Sequence, residues 1–317
     1  MAANSGLAKV KAAPLSRDVK KAKLLRELPL YVSLLPAVVV VFIYSYIPMV
    51  GIIIAFQRFV PTKGLFGSAY VGLANFRALF SLPDTWQVIG NTVFISVFKM
   101  AGGIIVPVVF TLLLNEIINK PARRTFQTMV YLPNFLSWII IAGIFLDILS
   151  PTRGIVNGAL GKLGIGPIFF LGDPKWFPFT MIVTDIWKGF GFGSVIYLAA
   201  LTSIDPSLYE SAVIDGANRW KQTWHITLPG LTSTIILMTV LSMAGILNGG
   251  FDQIFNLYNP AVYSTGDILD TMIYRIGLQQ AQFAVSTAAG LFKSAISCIF
   301  IVVSYYLADK LAGYRIF

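Results

Sequence analysis

Six long runs of apolar residues alternate along the chain with shorter polar segments. A helix needs about 20 apolar residues to cross the hydrocarbon core of a bilayer. The runs at 28–56, 86–114, 128–146, 177–201, 232–251 and 283–307 meet or approach that length. They predict an all-α integral membrane protein with six transmembrane helices. The first run carries no charge and contains Pro36 and Pro48, so a kinked span is expected there. It follows about 27 more polar residues and is too long for the apolar core of a signal peptide, which predicts an uncleaved first span.

Six spans place both ends on one side of the membrane. The segments on that side (1–27, 115–127, 202–231 and the tail) hold 14 Lys and Arg, against seven in the opposite loops. Basic residues favour the cytoplasm, so both termini and the 202–231 segment are expected there. The expected organisation is a basic cytoplasmic N-terminal segment (1–27), one transmembrane domain (28–308) and a short cytoplasmic tail (309–317). Between spans three and four, the outer loop 150–178 is rich in Gly and Pro. Its Ile155, Val156, Leu160 and Leu163 fit a short amphipathic helix at the membrane surface.

Composition narrows the class. Only 12% of the 317 residues are charged, 56% are apolar and the mean hydropathy is +0.75, which argues against a soluble globular domain. The net charge of +10 sits mostly beside the spans and is explained by orientation rather than by nucleic-acid binding. One cysteine, Cys298, cannot form an internal disulfide. One histidine and the lack of a His-Glu-x-x-His pattern argue against a zinc centre. No Gly-x4-Gly-Lys-Ser/Thr occurs, because Gly161-Lys162 is followed by Leu163. The chain is therefore expected to be no enzyme and to have no nucleotide loop of its own. The glycines of 189–193 (GFGFG) read as helix packing or a kink.

The segment 205–229 looks unlike the spans around it. Asp205 is a good N-cap and Pro206 suits the first helical turn, predicting a helix over 206–215 that ends at a left-handed Gly216. Leu208, Ala212 and Asp215 share one face of it, and Glu210 points away. A second helix over 217–227 places Ala217, Trp220 and Trp224 on one side, and Pro229 is expected to break it before span five. By itself this could be an amphipathic connector lying on lipid headgroups.

At these residues the sequence resembles a family. Glu210-Ser211-Ala212, Asp215-Gly216-Ala217, Ile226 and Leu228-Pro229 are similar to the "EAA" cytoplasmic loop of binding-protein-dependent ABC importer permeases. Ser211 replaces the usual first alanine, and the proline that often follows Leu-Pro is missing. Two further matches point to type I carbohydrate importers: Gly154-Ile155-Val156-Asn157 with Leu171-Gly172-Asp173-Pro174, and residues 251–260. The latter segment is similar to the oligo- and polysaccharide branch. The resemblance implies a permease subunit in a bacterial cytoplasmic membrane. It would pair with a homologous permease, two ATP-binding subunits that use ATP and Mg, and a periplasmic or lipid-anchored solute-binding protein. It also implies that 205–229 docks on an ATPase subunit, with Glu210, Ala212, Asp215, Gly216, Ala217, Trp220, Ile226, Leu228 and Pro229 coupling the two. No cofactor or metal is expected on this chain.

Charges inside the spans suggest the transport path, because a buried lysine costs roughly 2.5–3.5 kcal/mol on insertion scales and usually faces a cavity or a partner. Lys99, Asp185, Lys188 and Lys293, with Asn248 and Asp252, are the candidate pathway residues. Asp185 and Lys188, three apart on one helix, are expected to pair. That leaves Lys99 and Lys293 without an evident partner in the chain. They could snorkel, pair with acids of the second permease, or make a basic cavity for an anionic, uronate-containing sugar. An autonomous secondary carrier or channel for a polar solute would suit the same charges.

Overall fold

The computed structural model describes residues 17–312. The expected N-terminal segment 1–27 and tail 309–317 therefore lie largely outside the described residues. The chain divides into two compact units, 1–53 and 54–317.

In the first unit, α1 (Arg17–Val41) runs through Pro29 and Pro36. A π turn over Phe42–Tyr46 follows, closed by the N–H of Ile47 donating to the carbonyl of Phe42. The reason lies one residue on: Pro48 has no N–H, and the widened turn re-registers the ladder ahead of it. Residues 28–50 are exposed throughout.

The second unit opens with a two-residue antiparallel ladder, β1 (Gln57–Arg58) on β2 (Ala69–Tyr70), which the hydrophobic pattern did not reveal. Then come α2 (Ala74–Ser81) and α3 (Thr85–Asn115). α3 matches the expected second span. The expected third span is instead two helices, α4 (Lys120–Phe135) and α5 (Trp138–Ile148), bent by 106°. Leu136 is extended at the break, and Ser137 caps α5 by accepting from the N–H of Ile140. An apolar run hides such a break, because Pro133 and a serine cap look innocuous within it.

In the outer loop, α6 (Ile155–Lys162) forms where expected, but its anchor is polar rather than an apolar stripe. Ile155 and Leu163 are exposed, whereas Asn157 is buried. The Asn157 amide donates to the carbonyls of Leu149, Ser150 and Ile168, and its oxygen accepts from the N–H of Ile168.

α7 (Phe177–Leu201) has the boundaries expected of span four. Its glycines serve packing: a Cβ on Gly191 would lie 2.1 Å from the Val130 carbonyl oxygen of α4. After it come α8 (Pro206–Ile214) and α9 (Arg219–Gln222). A second π turn, Thr223–Thr227, leads directly into α10 (Leu228–Met243). Pro229 thus does not break the helix. The N–H of Leu228 donates to the carbonyl of Thr223, repeating the arrangement before Pro48, and 219–243 is one continuous candidate span. It stops eight residues short of the expected 251, because Gly245 and Gly249-Gly250 favour an unwound segment, with Gly250 at φ 86°. α11 (Phe251–Leu257), α12 (Leu269–Tyr274) and α13 (Phe283–Ala312) complete the chain.

Among the described residues, four helices (27–56, 85–115, 219–243 and 283–307) are long and apolar enough to cross a membrane. The bent pair α4–α5 makes a fifth if counted as one. Asp185, Lys188 and three glycines dilute the apolar character of α7, so length and apolarity alone do not fix the expected count of six. The core lies where α3, α5, α7 and α11 converge, around Ile95, Phe177, Met181, Ile254 and Ile268.

Candidate functional site

The unwound segment between α10 and α11 is the centre of the polar structure within the span region. Lys99 of α3 reaches it and is almost fully buried, at 8% exposure. Its Nζ donates to the Gly249 carbonyl at 2.8 Å and to Oε1 of Gln253, and lies 3.5 Å from Asp185. Gln253, wholly buried, passes its own amide protons to the Met181 carbonyl and the Thr184 hydroxyl of α7. A side chain at Gly250 would meet Lys99 Nζ at 2.8 Å and push the end of that side chain aside, and the φ of 86° favours glycine there. One cavity of about 400 Å³ opens beside this cluster, lined by Ser96, Lys99, Asp185, Ser242 and Asn248.

A second cavity, about 430 Å³, adjoins the other side of the segment and also includes Asn248. Here Lys293 of α13 donates to Asp270 of α12 at 2.5 Å, and Phe251, Tyr274 and Phe283 supply apolar walls. Asn248 is the residue common to both cavities and is exposed.

This geometry corrects the expected charge pairing. Asp185 does not pair with Lys188 but turns to Lys99. Lys188 points instead to the α4–α5 break, donating to the Asn134 carbonyl at 3.1 Å and sitting 5.5 Å from the Trp138 ring centre. The break exposes helix-end carbonyls, and a cation is a natural cap for them. Lys99 and Lys293 both have acids within this chain, so neither is left unpaired. Asp252 is exposed and belongs to neither ion pair. The residues that sequence reasoning missed are Gln253 and Asp270. Asp270 read as part of an outer loop, and its lysine lies 23 positions away.

The second notable surface is the 205–229 segment. Asp205 caps α8 by accepting from the Ser207 N–H at 2.9 Å, which holds its carboxyl below the usual carboxylate range. α8 ends one residue earlier than expected, at Ile214, and Asp215 is its C-cap. Gly216 then adopts φ 74°, and Asn218 caps α9 by accepting from the Lys221 N–H. The two helices are held together by Tyr209 to Thr227 at 2.9 Å, Ala217 N–H to Ala212 at 2.8 Å, and Gln222 to Ala217 at 2.9 Å. Glu210, Asp215, Trp220, Trp224 and Pro229 are exposed, Ala212, Ala217, Ile226 and Leu228 are half-buried, and the two tryptophans stack at 6.2 Å. A cleft of about 620 Å³ lies beside Glu116, Tyr209, Glu210, Arg219 and Gln222. The segment is internally braced, and Trp220 and Trp224 line an apolar cleft of about 530 Å³ with Val108, Leu112 and Leu113 of α3.

Polar cavities beside an interrupted helix and a braced helical projection suit a transport component, and the comparisons place the chain in such a family. The chain belongs to the family of binding-protein-dependent transport system inner membrane components, whose signature spans residues 102–313. It is 38% identical to the polygalacturonan/rhamnogalacturonan transport system permease protein YteP of Bacillus subtilis (strain 168), over 91% of this chain and 90% of that protein. Protein LplB of the same organism is 37% identical over 91% of each chain. Among solved structures, a bacterial ABC transporter involved in the import of the acidic polysaccharide alginate matches with a TM-score of 0.84 and 37% identity. That match covers 93% of this chain and 99% of the other. The same importer type, in complex with alginate pentasaccharide-bound periplasmic protein, gives 0.85 and 36% over the same shares. The fold is that of the type I ABC importer permease.

Proposed function

We propose that this permease forms part of the membrane path for an acidic oligo- or polysaccharide, delivered by a solute-binding protein and moved by ATP hydrolysis on partner subunits. What carries the reading is near-equal similarity, over nine-tenths of the chain, to a polygalacturonan/rhamnogalacturonan permease and to an importer of the acidic polysaccharide alginate. Support from the molecule is of two kinds. Its cavities hold ion pairs, amides and hydroxyls, which suit a hydroxyl-rich solute better than an apolar one. Its 205–229 segment is braced by internal hydrogen bonds, as suits a transmitter of rigid-body motion.

In this reading a second homologous permease completes the path, and two ATP-binding subunits, with ATP and Mg, supply the motor. Both termini and the 205–229 segment are cytoplasmic. Glu210 offers a directed charge to the motor, Trp220 and Trp224 offer apolar anchors, and Gly216 sets the angle between the helices. Lys99, Asp185, Asn248 and Lys293 border the path, Lys188 holds the helix break, and Asp252 is exposed but lines neither cavity. Lys99 and Lys293 balance acids, so neither of the two cavities described is an uncompensated basic site that would account for preference for an anion. It comes from the binding protein, the second permease, or exchange of substrate carboxylates for Asp185 or Asp270.

The test is reconstitution of the whole complex in proteoliposomes, comparing acidic with neutral oligosaccharides. ATP-dependent uptake of the acidic one is expected, at least several-fold above the neutral one. Equal or reversed preference overturns the acidic substrate, and uptake without ATPase subunits would favour a secondary carrier.

A further inference from the structure

α11 carries two faces of different character. Gln253, Ile254 and Leu257 are buried, while Phe251 and Phe255 stay half-buried on the other side, followed at i+7 by Tyr258, half-buried and packed partly on the core. These three rings are part of a longer file. Tyr263 lies 5.0 Å from Tyr258, Tyr258 lies 6.1 Å from Phe255, and Phe255 lies 4.9 Å from Tyr274. Phe251 closes it, 5.6 Å from Tyr274 and 5.1 Å from Phe255. At that end the file enters the cavity of the Asp270–Lys293 pair, where Phe251 and Tyr274 are both wall residues. At the other end Arg275, paired with the buried Asp267 at 2.5 Å, caps the Tyr263 ring at 5.0 Å.

From this continuity we infer that the five rings are a carbohydrate track leading pyranose units to the Asp270–Lys293 cavity. The inference rests on the saccharide reading above and specifies where in this chain the sugar is held. A pyranose has apolar C–H faces and a rim of hydroxyls. It therefore needs a ring to lie on and polar groups at the edge. The file supplies the first, and Asn248, Asp270, Lys293 and Thr287 supply the second. An alkyl chain would have no use for the ion pair, and a small ion would have no use for the rings. Ring-to-ring steps of 4.9–6.1 Å also let a chain advance from one platform to the next without leaving all of them. The arrangement tolerates different sugars, because a ring face reads shape and not hydroxyl pattern.

The experiment uses the assembled complex in proteoliposomes and whichever pentasaccharide, acidic or neutral, the wild type imports. Phe255→Leu and Tyr274→Leu remove a ring but keep an apolar side chain, and Phe255→Tyr and Tyr274→Phe keep the ring. Phe66→Leu, at an exposed ring far along the chain in the β1–β2 connection, is the control. The leucine variants are expected to lose roughly three- to tenfold in uptake rate, while the ring-keeping variants and the control stay near wild type. Copurification with the partner subunits checks assembly, and the comparison of Phe255→Leu with Phe255→Tyr stands if Tyr274→Leu fails to assemble. Leucine variants that match wild type sink the track alone. A wild type that imports neither kind of oligosaccharide sinks the saccharide reading and the track with it.

Discussion

Lys99 has three acceptors around one ammonium: a backbone carbonyl from the unwound segment, the Gln253 amide and the Asp185 carboxylate. The first belongs to the α10–α11 connection, the second to α11 and the third to α7, so one side chain of α3 ties all of them together. Removing it leaves a carbonyl, an amide and a carboxylate short of a donor. Lys99→Met is therefore expected to destabilise the complex by about 1–3 kcal/mol, with Asp185 partly solvated and the cost reduced accordingly. Adding Asp185→Asn should recover part of that loss, because the unpaired charge goes. Thermal unfolding followed by size-exclusion of the assembled complex measures both; additive losses would mean that the two residues do not interact. Sequence reading found Lys99 and Asp185 but joined Asp185 to the wrong partner. Spacing along one helix shows which pairs can meet. Which pairs do meet depends on where α3 lies against α7, and that no local pattern reveals.

At the scale of elements, local chemistry was most legible where caps and turns decide the outcome. Asp205, Pro206 and Gly216 fixed the start, first turn and end of α8 to within a residue. Gly216 has no atom within 4 Å of where a Cβ would stand, so a substitution there costs backbone strain alone. Gly216→Val should cost ~1–3 kcal/mol locally, enough to misplace α9 relative to α8, whereas Gly216→Asn should be tolerated. The expected result is ATP-dependent uptake reduced several-fold in the valine variant, close to wild type in the asparagine variant, with both assembled. Equal uptake in the two would show that the angle at Gly216 does not matter. Prolines were less legible. Pro133 precedes a break, Pro107 and Pro36 sit inside helices, and Pro48 and Pro229 follow π turns. A proline removes one donor; whether the helix ends, bends or widens depends on what else can take up the freed carbonyl. The unwound 244–250 segment was hidden for a similar reason, since its residues are apolar enough to extend a span.

Across the whole molecule, the π turn at 223–227 links the tryptophan-bearing end of a continuous helix to the end that borders the Lys99 cavity. A π turn amounts to one surplus residue absorbed inside an α-helix. Its consequence is angular: because the turn absorbs that residue, Trp220 keeps the compass bearing relative to Ser242 that a regular helix one residue shorter would give it. Excising Ser233 from the regular turns of α10, where no surplus is absorbed, would swing Trp220 and Trp224 by roughly 100° relative to Ser242. Such a protein should still insert and bind its partner permease but present the wrong side to whatever grips the tryptophans. Uptake lost with insertion intact would show this, and unchanged uptake would mean that the bearing is free. The helix works as a keyed shaft, and the key is one amino acid wide.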